Sequence, residues 1–163
     1  MHTAPSSTPA HGLQALALAM AHAPSEERLD LTLNPAQWDI LQGYLLPHRL
    51  PGGQILFARG VQDRTLYFIE SGGLSVHLED DKGRLRLALV GAGSVVGEGA
   101  FFSHLPRSAT VQASADCQLW ALTALRFAEL GNRQPAMALS LSLGLGALMA
   151  RRFSQRRRRV ACT

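Results

Sequence analysis

Residues 95–110 read V-V-G-E-G-A-F-F-S-H-L-P-R-S-A-T, and this stretch decides how the whole chain is interpreted. Gly97 and Gly99 let the backbone approach a ligand closely, and successive backbone N–H groups in such a turn form an anion site. Arg107 adds a planar, permanently charged fork that suits phosphate oxygens. The ionised Glu98 carboxylate only accepts hydrogen bonds, so it would repel phosphate and prefer a sugar hydroxyl. The stretch therefore predicts a ligand that carries a phosphate beside a ribose.

The alternative interpretation of these residues is a hairpin turn with a surface ion pair, which would stabilise the fold little. A Gly-Glu pair alone would not decide between the two. The P-R-S-A-T sequence at 106–110, at its spacing from Gly97-Glu98, favours the ligand site.

The stretch resembles the phosphate-binding cassette of cyclic nucleotide-binding domains, where G-E-L-A is followed by P-R-A-A-T or a close variant. Residues 50–57 (L-P-G-G-Q-I-L-F) resemble the family's Pro-Gly turn and second strand, and residues 67–72 its Y-x-I-x-x-G strand. Residues 149–153 (M-A-R-R-F) resemble the central helix of bacterial Crp/Fnr regulators. The resemblance covers about residues 34–159. Gly99 departs from it, because the family usually has a bulky aliphatic residue there.

The resemblance implies a fold that is mainly β with flanking helices: a double-stranded β-helix, or jelly-roll-like β roll, with an N-terminal helix and a long C-terminal helix. Short apolar runs between glycine-rich turns favour such a fold as well. Asn34-Pro35 predicts the start of a helix that runs to about Leu46, and Thr123 predicts the cap of a helix at about 123–132. The predicted strands lie at 54–58, 65–71, 73–79, 84–90, 94–97, 107–114 and 116–122.

Composition and resemblance together divide the chain in two. Residues 1–25 are predicted to be a flexible N-terminal segment with a short Ala/Leu helix, and residues 26–163 to be the cyclic nucleotide-binding domain. A hydrophobic content of 47% with 17% charged residues suits a globular protein. The Ala/Leu run at 13–23 loosely resembles a signal peptide, but no Lys or Arg precedes it, which favours a packing helix.

The C-terminal helix is predicted at about 134–158, and it carries no charge from Ala136 to Ala150. A helix that is apolar all round must be buried on more than one side, and this run is shorter than the roughly 20 residues of a membrane span. We expect it to pack against the β roll and to form a homodimer with a second copy. The small residues of the predicted contact ridge are Ser140, Gly144 and Ala147. The alternative is an ordinary core helix in a monomer.

Positive charge is concentrated at the end of the chain, where no acidic residue follows Glu129. The arginines of this tail are Arg151, Arg152, Arg156, Arg157, Arg158 and Arg159. Without these six, the formal net charge of +4 becomes −2. Clustered arginines can bind nucleic acid or anionic lipid, whereas cations near a helix C-terminus are also favoured by the helix dipole alone. Both interpretations of the tail stay open.

The resemblance also implies which residues form the site. The ligand would be cAMP, with cGMP as the alternative, because Ser108 does not decide the purine. Glu98 would accept from the ribose 2′-OH, and Arg107 would hold the cyclic phosphate. The implied ligand-binding residues are Gly97, Glu98, Gly99, Ala100, Arg107 and Ser108. By a looser alignment, the implied base pocket contains Val76, Leu87, Ala88, Arg152 and Arg156.

The residues argue against several other classes of protein. Two distant cysteines form neither a disulfide framework nor an iron–sulfur site, and they favour a reducing cytoplasm. The six histidines show no metal-ligand spacing, and no nucleophile–base pair stands out. We therefore expect no metal, no cofactor and no enzymatic activity.

The output of the predicted sensor stays open. The terminal helix would relay the ligand state to a second copy or to a downstream protein that the sequence does not identify. Direct reading of DNA is not expected, because no helix-turn-helix follows the central helix. The alternative function, motivated by Gly99, is an interaction module that no longer binds nucleotide.

Overall fold

The computed structural model describes the backbone of residues 12–161 and the side chains of residues 12–156. The expectation of a flexible tail before residue 12 and the side chains of Arg157, Arg158 and Arg159 lie outside the described residues.

Two four-stranded antiparallel sheets form the centre of the molecule, and five helices flank them. The strands are β1 Leu46–Leu50, β2 Ile55–Phe57, β3 Leu66–Ser71, β4 Gly73–Glu79, β5 Leu85–Gly91, β6 Val95–Val96, β7 Thr110–Ala113 and β8 Cys117–Leu122. The helices are α1 Gln14–His22, α2 Pro35–Gln42, α3 Glu98–Ser103, α4 Ala124–Arg133 and α5 Pro135–Ala161. One sheet has the order β1-β8-β3-β6 and the other β2-β7-β4-β5.

The side chains of β3 alternate between two hydrophobic cores, one on each face of the strand. Phe68 and Ile69 are both fully buried, and neighbouring residues of a strand point to opposite faces. Phe68 belongs to a core shared with α1 and α5, whereas Ile69 belongs to the core between the two sheets, with Leu74 and Leu119. The β roll is therefore packed on one face by helices, which brings α5 beside the sheets.

The helix that begins at Asn34 is shorter than predicted. Asn34 caps it in a reciprocal capping box with Gln37, but it ends at Gln42 and not near Leu46. The next residues form β1, which the sequence analysis missed, and β1 pairs with β8 at the edge of its sheet. Pro47 lies in this strand, and an edge strand is where a proline is tolerated.

Helix α1 packs into the main core, where Leu16 and Met20 are buried. The short Ala/Leu helix predicted within residues 1–25 thus packs on the domain core, and the division of the chain at residue 25 stays a prediction. Helix α4 follows the predicted cap, because the Thr123 side chain accepts from the backbone N–H of Arg126.

Helix α5 presents one face to the core and another to solvent. Leu141, Leu145 and Leu148 are buried, whereas Leu139 and Leu143 are about two-thirds exposed. The predicted ridge of small residues needs correction at Gly144, where a Cβ would lie 2.5 Å from the carbonyl oxygen of Asp30. Gly144 therefore permits close packing within the chain and does not lie on the open face. Among the described residues, no helix combines the length and apolarity needed to cross a membrane.

Candidate functional site

A cavity of about 320 Å³ lies between the β2-β7-β4-β5 sheet, the turn into α3 and the outer half of α5. This volume is at the lower end of the range for small-molecule pockets. Its walls are Phe57, Val76, Leu78, Ala88, Val90, Val96, Gly97, Glu98, Gly99, Ala100, Arg107, Ser108, Ala109, Val111, Met149, Arg152, Phe153 and Arg156.

The structure brings ten of the eleven predicted site residues to this cavity. The exception is Leu87, whose neighbour Ala88 lines the cavity while Leu87 is 59% exposed on the opposite face of β5. The assignment of Leu87 to the pocket is wrong because two consecutive residues of a strand cannot both face one cavity. Val90, two residues after Ala88, takes the expected place in the wall.

Arg107 is buried at the inner wall of the cavity, with 2% of its surface exposed. Nη2 donates to Asp63 Oδ2 at 2.8 Å and to the Thr65 carbonyl at 2.7 Å, and Nη1 donates to the Gly97 carbonyl at 3.1 Å. The guanidinium also lies 3.9 Å from the centre of the Phe57 ring. Nε has no hydrogen-bond partner among the described residues. A buried donor without a partner is costly, and of the three arginines in the described chain whose Nε lacks one, Arg107 is the one that lines the cavity.

Asp63 is the carboxylate that holds Arg107. Burial acts to raise its pKa, but hydrogen bonds from Arg107 and Thr65 outweigh this, so the pKa of Asp63 lies below its usual value. Asp63 is therefore ionised at neutral pH and fixes the charge and the position of the Arg107 fork.

Gly97 shapes the turn beside Arg107. Its φ of 88° is left-handed, and a Cβ there would lie 2.6 Å from Arg107 Nη1 and 2.7 Å from the Thr65 carbonyl oxygen. Gly99 differs, because its backbone is not left-handed and a Cβ would meet nothing within 4 Å. The turn thus requires glycine at 97 and leaves open space at 99.

Glu98 faces α5 across the cavity. Its Oε1 accepts a 2.6 Å hydrogen bond from Arg152 Nη1. Arg152 also donates to Glu27 Oε2 from Nε and Nη2, at 3.2 and 3.1 Å. Nη2 reaches the Ser94 hydroxyl at 2.9 Å and the Val95 carbonyl at 3.0 Å. Arg152 therefore joins α5 to the cassette turn and to the segment before α2.

Sequence reasoning missed Asp63, Thr65 and Glu27. Asp63 and Thr65 lie just before β3, and a local signal exists for them, since the Asp63 side chain accepts from both the backbone and the hydroxyl of Thr65. Glu27 is 125 residues from Arg152 in the sequence. No local pattern predicts that contact.

Comparison with known proteins decides the family. The sequence profile described as "Cyclic nucleotide-binding domain" matches residues 47–134, more than half of the chain. The chain belongs to this family. The family resemblance stated from the sequence is thereby confirmed.

Two bacterial relatives of this cyclic nucleotide-binding domain carry cAMP in their names. It is 32% identical over 108 residues to the cAMP-activated global transcriptional regulator CRP of Escherichia coli O157:H7, which is 65% of this chain and 50% of that protein. It is 32% identical over 124 residues to the Cyclic AMP receptor protein of Thermus thermophilus, 76% of this chain and 56% of that protein. The chain spans about half the length of these curated relatives.

Solved structures agree on the fold. A cyclic nucleotide-binding domain from Methylobacillus flagellatus superposes with a TM-score of 0.80 at 21% identity, covering 91% of this chain and 82% of the other. The Catabolite Activator Protein of Thermus thermophilus superposes with a TM-score of 0.70 at 26% identity, covering 88% and 62%. The predicted β roll with an N-terminal helix and a long C-terminal helix is confirmed.

Proposed function

We propose that this domain binds one cyclic purine mononucleotide in the cavity between the β roll and α5 and acts as a sensor of that nucleotide. The observation that carries the proposal is Arg107, buried at the cavity wall with Nε lacking a partner among the described residues. The named relatives are regulators described by cAMP, so cAMP and its guanine counterpart cGMP define the proposed class of ligand.

The two ends of the site suit two parts of such a ligand. Arg107 Nε and the Ser108 hydroxyl would donate to the cyclic phosphate. The backbone N–H groups of Gly99 and Ala100 would donate to it as well, because they lie in the first turn of α3 and have no acceptor within the helix. Glu98 would accept from the ribose 2′-OH through the oxygen that Arg152 does not use. Apolar residues such as Val76 and Ala88 would cover the purine.

Helix α5 would report the ligand state. A ribose hydroxyl on the free oxygen of Glu98 would share this carboxylate with Arg152, so ligand and helix are coupled through one side chain. The nucleotide can shift the position of α5 only by as much as its affinity differs between the two arrangements. The terminal helix would thus carry the signal to a second copy or to a downstream partner.

The open face of α5 supports a homodimer. Leu139, Leu143 and Phe153 are each at least 60% exposed, and Gly146, Ala147 and Ala150 between them are small. Together these exposed residues form a stripe along α5 with the spacing of a helix-pairing seam. Sedimentation equilibrium tests this part: a mass of twice the chain supports it, and a monomer mass at all concentrations contradicts it.

Calorimetric titration of the intact chain with cAMP and cGMP tests the proposal. Arg107→Lys keeps the charge but loses the fork and Nε, so we expect affinity to fall by about 30-fold or more. Because Arg107 is buried and paired, the variant is titrated well below its own melting temperature. Glu98→Gln, a nearly isosteric change, is a second variant of the site. Glu129→Gln, on the solvent side of α4 and away from the cavity, is the control and should keep the wild-type affinity. A wild-type chain that binds neither nucleotide would disprove the proposal and favour the nucleotide-independent module.

A further inference from the structure

The α5 wall of the cavity carries one cationic side chain that the ribose-phosphate end does not use. Met149, Arg152, Phe153 and Arg156 line the cavity from one face of the helix, at spacings of three and four residues. Arg152 is bonded to Glu98, and Arg156 lies one turn, about 6 Å, further along the axis. Arg156 is thus placed beyond the proposed ribose position.

The polar groups of the described lining residues are few. Glu98, Arg107 and Ser108 belong to the cassette, where the ribose and phosphate are proposed to bind. All three guanidinium nitrogens of Arg152 already donate to protein acceptors. Arg156 forms no side-chain hydrogen bond or ion pair with another described residue. Apart from the cassette and Arg152, it is the one described lining side chain able to hydrogen-bond a purine strongly.

The rest of the wall near the base is apolar. Val76, Leu78, Ala88 and Val90 offer surface to either purine and no side-chain hydrogen bond. Met149 adds only a weakly accepting thioether. Discrimination between purines therefore falls on the chemistry of Arg156.

An arginine fork donates hydrogen bonds and accepts none. Guanine presents two acceptors side by side, N7 and O6, whereas adenine presents the N7 acceptor beside the N6–H₂ donor. A donor fork therefore matches guanine at two atoms and faces adenine with one match and one donor–donor conflict. On this basis we infer that Arg156 selects guanine, so that the site binds cGMP in preference to cAMP. The inference rests on the proposed function, because it places the ribose on Glu98.

A solvated helix end is the simpler account of an exposed arginine near the C-terminus of α5. Such a residue would contribute nothing to the choice between cAMP and cGMP. Arg156 instead lines the same cavity as Phe153 and the apolar residues of β4 and β5. A planar fork in this position can bond the edge of a base or stack on its face.

Competition calorimetry with cGMP, cAMP and cyclic inosine monophosphate separates the outcomes. Hypoxanthine carries the O6 and N7 of guanine but lacks its 2-amino group. We expect cGMP and the inosine nucleotide to bind within about 3-fold of each other and about 10-fold more tightly than cAMP. Equal or tighter binding of cAMP overturns the inference, as does an inosine nucleotide that binds like cAMP.

Arg156→Gln supplies the matched variant, since glutamine can pair with N6 and N7 of adenine. Its expected effect is loss of the guanine preference and a gain for cAMP, with unchanged melting temperature. Arg133→Gln, an exposed arginine of α4 that does not line the cavity, is the control and should keep the wild-type ratio. An unchanged ratio in Arg156→Gln overturns the inference while nucleotide binding itself stands. Absence of binding by all three nucleotides overturns both the inference and the proposed function.

Discussion

Two arginines, one buried and one partly buried, line the same cavity and are held in different ways. Arg107, 2% exposed, is fixed by Asp63, Thr65 and Gly97, which all belong to the β roll. The Arg152 side chain, 16% exposed, projects from α5 and joins Glu98 of the cassette to Glu27 in the segment between α1 and α2. One arginine is held within a single packed unit, and the other connects three elements.

The difference separates a preformed part of the site from an exchangeable part. Arg107 reaches its position when the roll folds, so a phosphate meets a donor that is already oriented, and little ordering cost remains for binding. Arg152 has two carboxylate partners, and a ligand on Glu98 changes the balance between them. We therefore expect changes on the roll side to remove binding and changes on the helix side to alter coupling.

Gly97→Ala should have the largest effect. Alanine at φ 88° is strained, and its Cβ would collide with Arg107 Nη1 and the Thr65 carbonyl. We expect the free energy of unfolding to fall by about 2–4 kcal/mol and nucleotide affinity to fall by more than about tenfold, because the fork is displaced. Urea unfolding and calorimetric titration measure the two quantities.

Gly99→Ala is the matched control, two residues away in the same turn. Its Cβ would meet nothing within 4 Å, and alanine favours the helical conformation of α3 by up to about 1 kcal/mol. We expect equal or higher stability and retained binding. If both variants lost affinity alike, the contrast between a required and a permissive glycine would be wrong.

The sequence predicts the roll side well because its signals are local. Glycines mark the turns, alternation marks the strands, and the cassette places Gly97, Glu98 and Arg107 within eleven consecutive residues. Leu87 shows the limit of alignment, since a shift of one residue in β5 reverses the face. Strand β1 is hard to predict from the sequence because it contains Pro47, and proline is compatible with a strand only at a sheet edge.

The helix side could not be predicted in the same way. The contact of Glu27 with Arg152 and the packing of Gly144 on Asp30 each join residues more than 100 positions apart. Such contacts depend on the assembled fold, and no periodicity within one segment specifies them. The small residue at Gly144 suggested a helix partner, but its neighbour is Asp30, in the chain's own segment between α1 and α2.

Asp63→Asn should have an intermediate effect that depends on pH. Because the pKa of Asp63 is lowered by folding, its stabilisation is present above the pKa of the unfolded chain and is lost as pH falls through the lower folded pKa. The variant should be about 1–2 kcal/mol less stable than wild type at pH 7, since the carboxylate is about one-third exposed.

Urea unfolding from pH 7 down to pH 3 measures this difference. It should stay constant down to about pH 5 and shrink below about pH 4, where the wild-type carboxyl is protonated too. Asp81→Asn, at an exposed position of the β4–β5 turn, is the control. A difference that persisted undiminished at pH 3 would show that the charge of Asp63 does not hold Arg107.

Glu27→Gln should have the smallest effect on affinity and the most specific effect on coupling. Arg152 keeps Glu98, Ser94 and the Val95 carbonyl, so we expect nucleotide affinity to change by less than about 3-fold. The anchor between α5 and the segment between α1 and α2 weakens, and amide hydrogen exchange at residues 26–33 should become faster. Glu26→Gln, exposed and one residue away, should leave the exchange unchanged. In wild type, nucleotide should slow this exchange, because a ribose hydroxyl on Glu98 weakens the Arg152–Glu98 pair and leaves Arg152 more strongly paired with Glu27, and most of that response should disappear in Glu27→Gln. Equal exchange rates at residues 26–33 with and without nucleotide would confine the signal to α5 and contradict the role of Glu27.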